Sequence, residues 1–212
     1  MRILTIAPEH YKRHRDFLRQ MHRLRATVFA GRFAWDVTIN KGEERDQYDD
    51  CKPTYLLAIA DGGKVAGCVR LLPASGPTML EQTFPQLLDA GSLRPHSGMV
   101  ESSRFCVDTS LPAGRGEGQL HFATLTMFAG IVEWSMANGY YEIVTATDLR
   151  FERILNRAGW PMKRLGDPVT IGNTVAVAGT MPANRESFER VCPHCYRSIT
   201  VEDHSRQIRS AA

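Results

Sequence analysis

No apolar run in the sequence approaches the roughly 20 residues that a helix needs to span a bilayer, so a membrane-spanning protein is not expected. Charge of one sign is also scarce. The formal net charge is +3 and the pI near 8.7, too weak a bias to argue for nucleic acid. Cysteines number only five, Cys51, Cys68, Cys106, Cys192 and Cys195, and an odd count argues against a disulfide framework. There are no internal repeats. The first residues, MRILTIAPEHYKRHR, place a short apolar stretch before a basic cluster, the reverse of a signal peptide. A cytoplasmic protein is therefore expected.

The 212 residues present, 43% of them hydrophobic, suffice for one domain with a sizeable core. RILTIA reads as a strand over Arg2–Ala7, and apolar residues recur at helical spacing over 10–29. Residues 30–53 are polar and turn-rich and read as a long loop, a form that often carries function. Tyr55–Ala60 and Lys64–Leu72 read as a hairpin across Asp61-Gly62-Gly63. A short helix is expected over 79–90, a strand over Met99–Val107, and a long helix over 117–138. A strand over Tyr141–Thr147, a helix over 148–158, short strands near 162–165, 168–171 and 174–179, and a helix over 183–191 complete the pattern. Strands with helices between them indicate an α/β sandwich. Residues 1–190 are taken as one domain and 191–212 as a polar tail.

Several residues suited to ligand chemistry lie in the first half: Arg25, Phe29, Trp35, the run Glu44-Arg45-Asp46-Gln47-Tyr48-Asp49, Arg70, and Glu101-Ser102-Ser103-Arg104. Arg25 and Phe29 share a helix face, and one helical turn pairs Asp46 with Asp49. Arginines grip carboxylates through paired donors, carboxylates receive an ammonium, and aromatic faces stack a base or a sulfonium. Such a set suits a zwitterionic ligand bearing adenine. Taken singly, each member has a plainer reading. Asp46 and Asp49 sit among other acids as a solvated turn would. Arg70, within GCVRLLP, is either outward-facing or buried and paired. Alternation puts Glu101, Ser103 and Phe105 on one strand face and Arg104 on the other, unless a bulge intervenes.

The stretches RATVFAGRFAWDV, ERDQYDD, GCVRLLP and VESSRFCVD, in this order, resemble the acyl-homoserine lactone synthases, which make diffusible signals for bacterial quorum sensing. The resemblance covers roughly residues 2–180 and includes Arg25, Phe29, Trp35, Asp46, Asp49, Arg70, Phe84, Glu101, Ser103 and Arg104. It implies an N-acetyltransferase-like three-layer sandwich, with a twisted mixed sheet and a V-shaped cleft between splayed central strands. It also implies an acyltransferase that moves an acyl group from a thioester, on acyl carrier protein or coenzyme A, to the amine of S-adenosylmethionine. Lactone closure then releases methylthioadenosine. Both small molecules are substrates, and neither a cofactor nor a metal is implied. By the resemblance, Arg25, Phe29, Trp35, Phe84 and Ser103 bind substrate, while Asp46, Asp49, Arg70, Glu101 and Arg104 serve the chemistry. Glu101 is the candidate base, since an amine must lose a proton before it attacks a thioester. Thr145, on the strand that borders the acyl pocket, is a further substrate-binding residue.

Gly114-Arg115-Gly116-Glu117-Gly118 is a candidate turn for the donor's phosphates or pantetheine. The basic residues Arg150, Arg153, Arg157, Lys163 and Arg164 would attract an acidic carrier protein, or form a solvated face. Cys192-Pro193-His194-Cys195 has the spacing of half a zinc site. Two rival readings follow: an acetyl-CoA-dependent enzyme acting on another amine, which has no use for Trp35, Asp46 and Asp49, and a non-enzymatic regulator with a zinc-stabilised tail.

Overall fold

A computed structural model of the chain describes residues 1–32, 35–89, 93–110 and 120–197. Its centre is a sheet built from β1 (Arg2–Ile6), β4 (Thr54–Ile59), β5 (Val65–Pro73), β6 (Met99–Val107), β7 (Glu142–Asp148), β8 (Lys163–Arg164), β9 (Val169–Ile171) and β10 (Thr174–Pro182). The order is β1-β4-β5-β6-β7-β10-β8, with β9 also on β10. Every pairing is antiparallel except β6 with β7. Strand β4, TYLLAI, is buried along almost its whole length, as a strand covered on both faces must be. Leu56 and Ala58 enter a core with α3 (Phe122–Ala137), α4 (Leu149–Arg157) and α5 (Arg185–Val191). Tyr55, Leu57 and Ile59 point the other way, into a core with Met21 of α1 (Arg15–Ala26). The three layers expected of the family are therefore present.

Strands β6 and β7 pair only from Met99↔Glu142 to Glu101↔Val144, although β6 continues to Val107 and β7 to Asp148. Beyond Glu101 the two strands part, opening the sheet. Glu101, Ser102, Ser103 and Arg104 follow this branch point along β6.

Several local expectations need correction. The first helix begins at Arg15, not residue 10, and widens into a π-helical turn over Thr27–Arg32 that carries Phe29. Such turns are frequent at functional sites. The expected loop over 30–53 contains a hairpin, β2 (Ile39–Asn40) and β3 (Glu43–Glu44), and a 3-10 turn over Gln47–Asp49. The hairpin turns on Lys41-Gly42, both at positive φ (51° and 80°), as a tight primed turn requires. Lysine at the first position hid that turn, because asparagine or aspartate is the usual occupant. The expected helix over 79–90 is only α2 (Met79–Thr83), because Phe84 precedes Pro85 and a residue before proline is pushed out of the helical region. Strand β10 runs on to Pro182, longer than expected. Gly114 to Gly118 and residues 198–212 lie outside the described residues. Among the described residues no helix is long and apolar enough to cross a membrane.

Candidate active site

Three arginines and three carboxylates meet between α1, the β3 hairpin with the turn after it, and the faces of β5 and β6. Arg25 comes from α1, Glu44 from β3, and Asp46 and Asp49 from the 3-10 turn that they cap reciprocally. Tyr48 and Asp46 are tied by a main-chain N–H donating to Asp46 Oδ1 at 2.9 Å, and the Asp46 N–H donates to Asp49 Oδ2 at 2.9 Å. This turn fixes both aspartates relative to each other through its own main chain, independently of the arginines.

Arg25 is fully buried and grips Asp49 with two parallel bonds, Nη1 to Oδ1 at 2.8 Å and Nη2 to Oδ2 at 2.9 Å, while its Nε donates to Glu44. All three of its nitrogens are thus engaged by protein carboxylates. Arg70 is buried and paired, resolving the two readings of its strand. Its Nη1 donates to Asp46 and, at 3.1 Å, to Asp49, and its Nε donates to Ser103 Oγ at 3.1 Å. Its guanidinium lies over the Tyr48 ring, 5.3 Å from the centroid.

Arg104 joins the cluster because β6 bulges. The register with β5 slips between Cys68 and Arg70, and Arg104 adopts φ of 55°. A left-handed arginine carries roughly 1 kcal/mol or more of backbone strain, which the surrounding bonds overcome. The bulge turns Arg104 onto the face of the cluster, so the alternation-based orientation is corrected. Its Nε donates to Glu44 Oε1 at 3.2 Å and its Nη2 pairs with Asp46 Oδ2 at 2.8 Å. Its guanidinium lies 5.4 Å from the Phe29 centroid. Phe29 is buried and stacked on Trp35, with 5.3 Å between centroids and 7° between planes. The Trp35 indole N–H in turn donates to Thr174 on β10 at 3.2 Å.

Glu101 lies beneath this cluster, 1% exposed. Its two oxygens accept the first main-chain N–H groups of α2, from Met79 at 3.0 Å and Leu80 at 2.8 Å. Burial pushes its carboxyl above the usual range, although the two amides and Arg70 oppose the shift. Phe84 is half-buried and closes the edge against Tyr48, Leu72 and Met79. Thr145 stands apart, at the branch of β6 and β7, its hydroxyl donating to the Ser102 carbonyl at 2.7 Å.

Glu44 is the member that sequence reading undervalued. It looked like part of a solvated acidic turn, yet it is fully buried between Arg25 and Arg104. The available signal was its two-residue spacing from Asp46, which in extended backbone puts both on one side. Met79 was also passed over. Its sulfur faces Arg70 Nη2 at 3.7 Å and Arg104 Nη1 at 3.4 Å, the weakest acceptor in the cluster. Among the described residues, no group of three or more His, Cys, Asp or Glu side chains is placed to hold a metal ion.

The Arg25 grip holds the Asp49 carboxyl well below the ordinary carboxylate range despite its burial. Because the folded pKa is depressed, the resulting stability is present in full above the unfolded pKa of about 3.9 and drains away as pH falls through the folded value. Asp49→Asn should cost about 3 kcal/mol at neutral pH, since it leaves Arg25 and Arg70 without their shared anion. It should also flatten the acid limb of stability, which denaturant titrations at pH 7 and pH 3 would read.

The autoinducer synthase family model matches residues 9–191 of this chain. The chain belongs to the autoinducer synthase family. An acyl-homoserine-lactone synthase of Agrobacterium fabrum is 72% identical over 212 residues, covering all of both chains. The crystal structure of the AHL synthase LasI superposes with a TM-score of 0.77 at 32% identity, covering 90% of this chain and 93% of that one. An acyl-CoA N-acyltransferase from Pseudomonas aeruginosa shares the fold more distantly, with a TM-score of 0.53 at 13% identity, covering 85% of this chain and 97% of that one. As an autoinducer synthase the chain is an acyltransferase on an N-acetyltransferase-like sandwich, and both rival readings fall away.

Proposed function

We propose that the arginine–carboxylate cluster is the S-adenosylmethionine site of this acyl-homoserine-lactone synthase, and that Asp46 receives the substrate's ammonium. One observation carries the assignment. Asp49 and Glu44 have every oxygen engaged by protein hydrogen-bond donors, whereas Asp46 Oδ2 has ion-pair contacts, to Arg104 at 2.8 Å and to Arg25 at 4.0 Å, but no aligned hydrogen bond among the described residues. Of the three carboxylates it alone has an oxygen that accepts no hydrogen bond from the described residues. The matching cationic sites are Arg104 Nη1 and Arg70 Nη2, whose hydrogen-bond partner among the described residues is the Met79 sulfur. A methionyl carboxylate displacing that sulfur gains two charge-assisted bonds. Arg25, expected from the resemblance to bind substrate, is fully buried with each of its three nitrogens on a protein carboxylate, and so acts through Glu44 and Asp49. The Phe29–Trp35 stack forms the aromatic wall for the adenine or the sulfonium.

The amine nitrogen attacks the thioester carbonyl, the thiol leaves, and the amine's proton passes to Glu101 directly or through one water. Each Glu101 oxygen keeps a lone pair beyond the amide it accepts, and its raised pKa makes it a better base than a free carboxylate. The methionyl carboxylate then attacks its own γ-carbon, the carbon–sulfur bond breaks, and methylthioadenosine departs as a neutral thioether. Positioning supplies much of the acceleration, because both steps are made intramolecular or nearly so by a preorganised pocket.

The acyl chain enters where β6 and β7 part, beside Thr145. The donor is a thioester of acyl carrier protein or coenzyme A, and the exposed Arg150, Arg153 and Lys163 offer an acidic carrier protein an electrostatic landing. Arg164 contributes less, since Glu152 holds it with bonds of 2.7 and 2.7 Å. The cytoplasm is the compartment that supplies these substrates. Mass spectrometry of medium from a bacterial host expressing the chain tests the assignment. An acyl-homoserine lactone should appear, and should vanish with Arg104→Ala. Equal lactone from both would remove the cluster from the reaction.

The segment after α5 lies outside this chemistry. Cys192 is half-buried and Cys195 exposed, with Tyr196 anchoring its neighbourhood through a 2.8 Å bond to Glu133. Replacing both cysteines by serine should leave turnover within about twofold, because a tetrahedral zinc site needs four ligands. Steady-state rates together with zinc analysis of the parent protein check this. A large loss with stoichiometric zinc would establish a structural metal.

A further inference from the structure

Asp49 collects more donors than a carboxylate in this cluster needs. Its Oδ1 accepts from Arg25 Nη1 at 2.8 Å, from Arg70 Nη1 at 3.1 Å and from the Tyr55 hydroxyl at 2.7 Å. Its Oδ2 accepts from Arg25 Nη2 and from the Asp46 N–H, each at 2.9 Å. Four of these five donors belong to the cluster or to its turn. The fifth, Tyr55, comes from elsewhere: it lies on β4, directly across from Arg70 of β5. Its ring is 2% exposed and locked in the α1-side core, 5.8 Å from the Tyr11 ring and edge-on to His22 at 6.3 Å. The hydroxyl therefore rises from a rigid strand, behind the cluster as seen from Asp46 Oδ2 and the Met79 sulfur.

We propose that Tyr55 is a positioning residue for S-adenosylmethionine, acting through Asp49. The proposal rests on the assignment of Asp46 as the ammonium receptor. Arg70 Nη1 is shared between Asp46 and Asp49, with Asp49 the longer of the two bonds. Tyr55 occupies Asp49 Oδ1 from behind and so leaves that oxygen with little call on Arg70. Without the hydroxyl, Oδ1 draws Arg70 toward itself and away from Asp46. Asp46 then turns, and its ligand-facing oxygen leaves the place where the ammonium sits. Burial and the adjacent Asp49 anion both raise the Tyr55 pKa, so the hydroxyl remains a donor over the whole working pH range. The effect falls on the methionyl subsite, because the acyl thioester is assigned to the opening between β6 and β7 and Tyr55 lies on β4, two strands away from β6.

The test is Tyr55→Phe, which keeps the ring and removes only the hydroxyl, with Tyr196→Phe as its control. Tyr196 donates its hydroxyl to Glu133 at 2.8 Å, outside the cluster. In Tyr55→Phe, the KM and the calorimetric Kd for S-adenosylmethionine should rise about tenfold, the scale for losing a hydrogen bond to a charged group. The KM for the acyl thioester and the cooperative thermal transition should stay close to wild type. Tyr196→Phe should leave both KM values unchanged. Equal rises in both substrates' KM, an unaltered Kd, or loss of cooperative unfolding in Tyr55→Phe would each overturn the proposal. Failure of the wild-type protein to bind S-adenosylmethionine would instead refute the assignment of the site itself.

Discussion

Asp46→Asn should raise the KM for S-adenosylmethionine about a hundredfold while leaving the acyl thioester KM nearly unchanged, the upper range for removing a charge-assisted bond. Asparagine preserves the shape and the Oδ1 acceptor for Arg70 and Tyr48. It places an NH2 group where Oδ2 faces Arg104 Nη2 at 2.8 Å, setting donor against donor. The same NH2 group cannot accept a substrate ammonium. Because the ammonium is held from the Michaelis complex onward, most of the loss belongs in KM, with a smaller fall in kcat. Steady-state kinetics with each substrate varied in turn read this split. A variant with wild-type KM would transfer the ammonium to another group.

Glu101→Gln should lower kcat about a hundredfold or more, the usual scale for losing a general base. The substitution also turns one donor toward the N–H groups of Met79 and Leu80, an added cost of about 1–3 kcal/mol in stability. Stability alone does not identify a base, so the pH profile decides. A base must be deprotonated to act, so activity falls as pH drops through its pKa. Burial lifts that pKa above the usual glutamate range, so the acid limb of kcat/KM should lie higher than an ordinary glutamate would give. That limb should disappear in Glu101→Gln. Wild-type turnover in the variant would leave Glu101 only as the cap of α2.

Much of the architecture was legible in the sequence because period and length are local properties. The β4–β5 hairpin across Asp61-Gly62-Gly63 follows the apolar spacing closely, and α3 and the β9–β10 pair lie where expected, although α3 begins only at Phe122 and β10 runs on to Pro182. The site was legible as a set of residue types, and Arg25, Asp46, Asp49, Arg70, Ser103 and Arg104 do converge. How they converge was not legible. The bulge that turns Arg104 inward depends on a register slip between two strands, and alternation within one strand cannot report it. Glu44 and Met79 were hidden for a related reason. An acidic run and a lone methionine acquire meaning only when arginines from other strands arrive beside them. The resemblance to lactone synthases carried the roles that spacing alone left open, including the base and the order of the two steps.

The central claim is that one buried cluster binds S-adenosylmethionine and that acyl transfer precedes lactone closure. Purified protein incubated with S-adenosylmethionine and a panel of acyl-carrier-protein and acyl-CoA thioesters tests it directly, with methylthioadenosine and lactone quantified together. The account predicts equal amounts of both products with an accepted donor, and no methylthioadenosine without one. Methylthioadenosine release independent of the donor, or neither product across the panel, would contradict it.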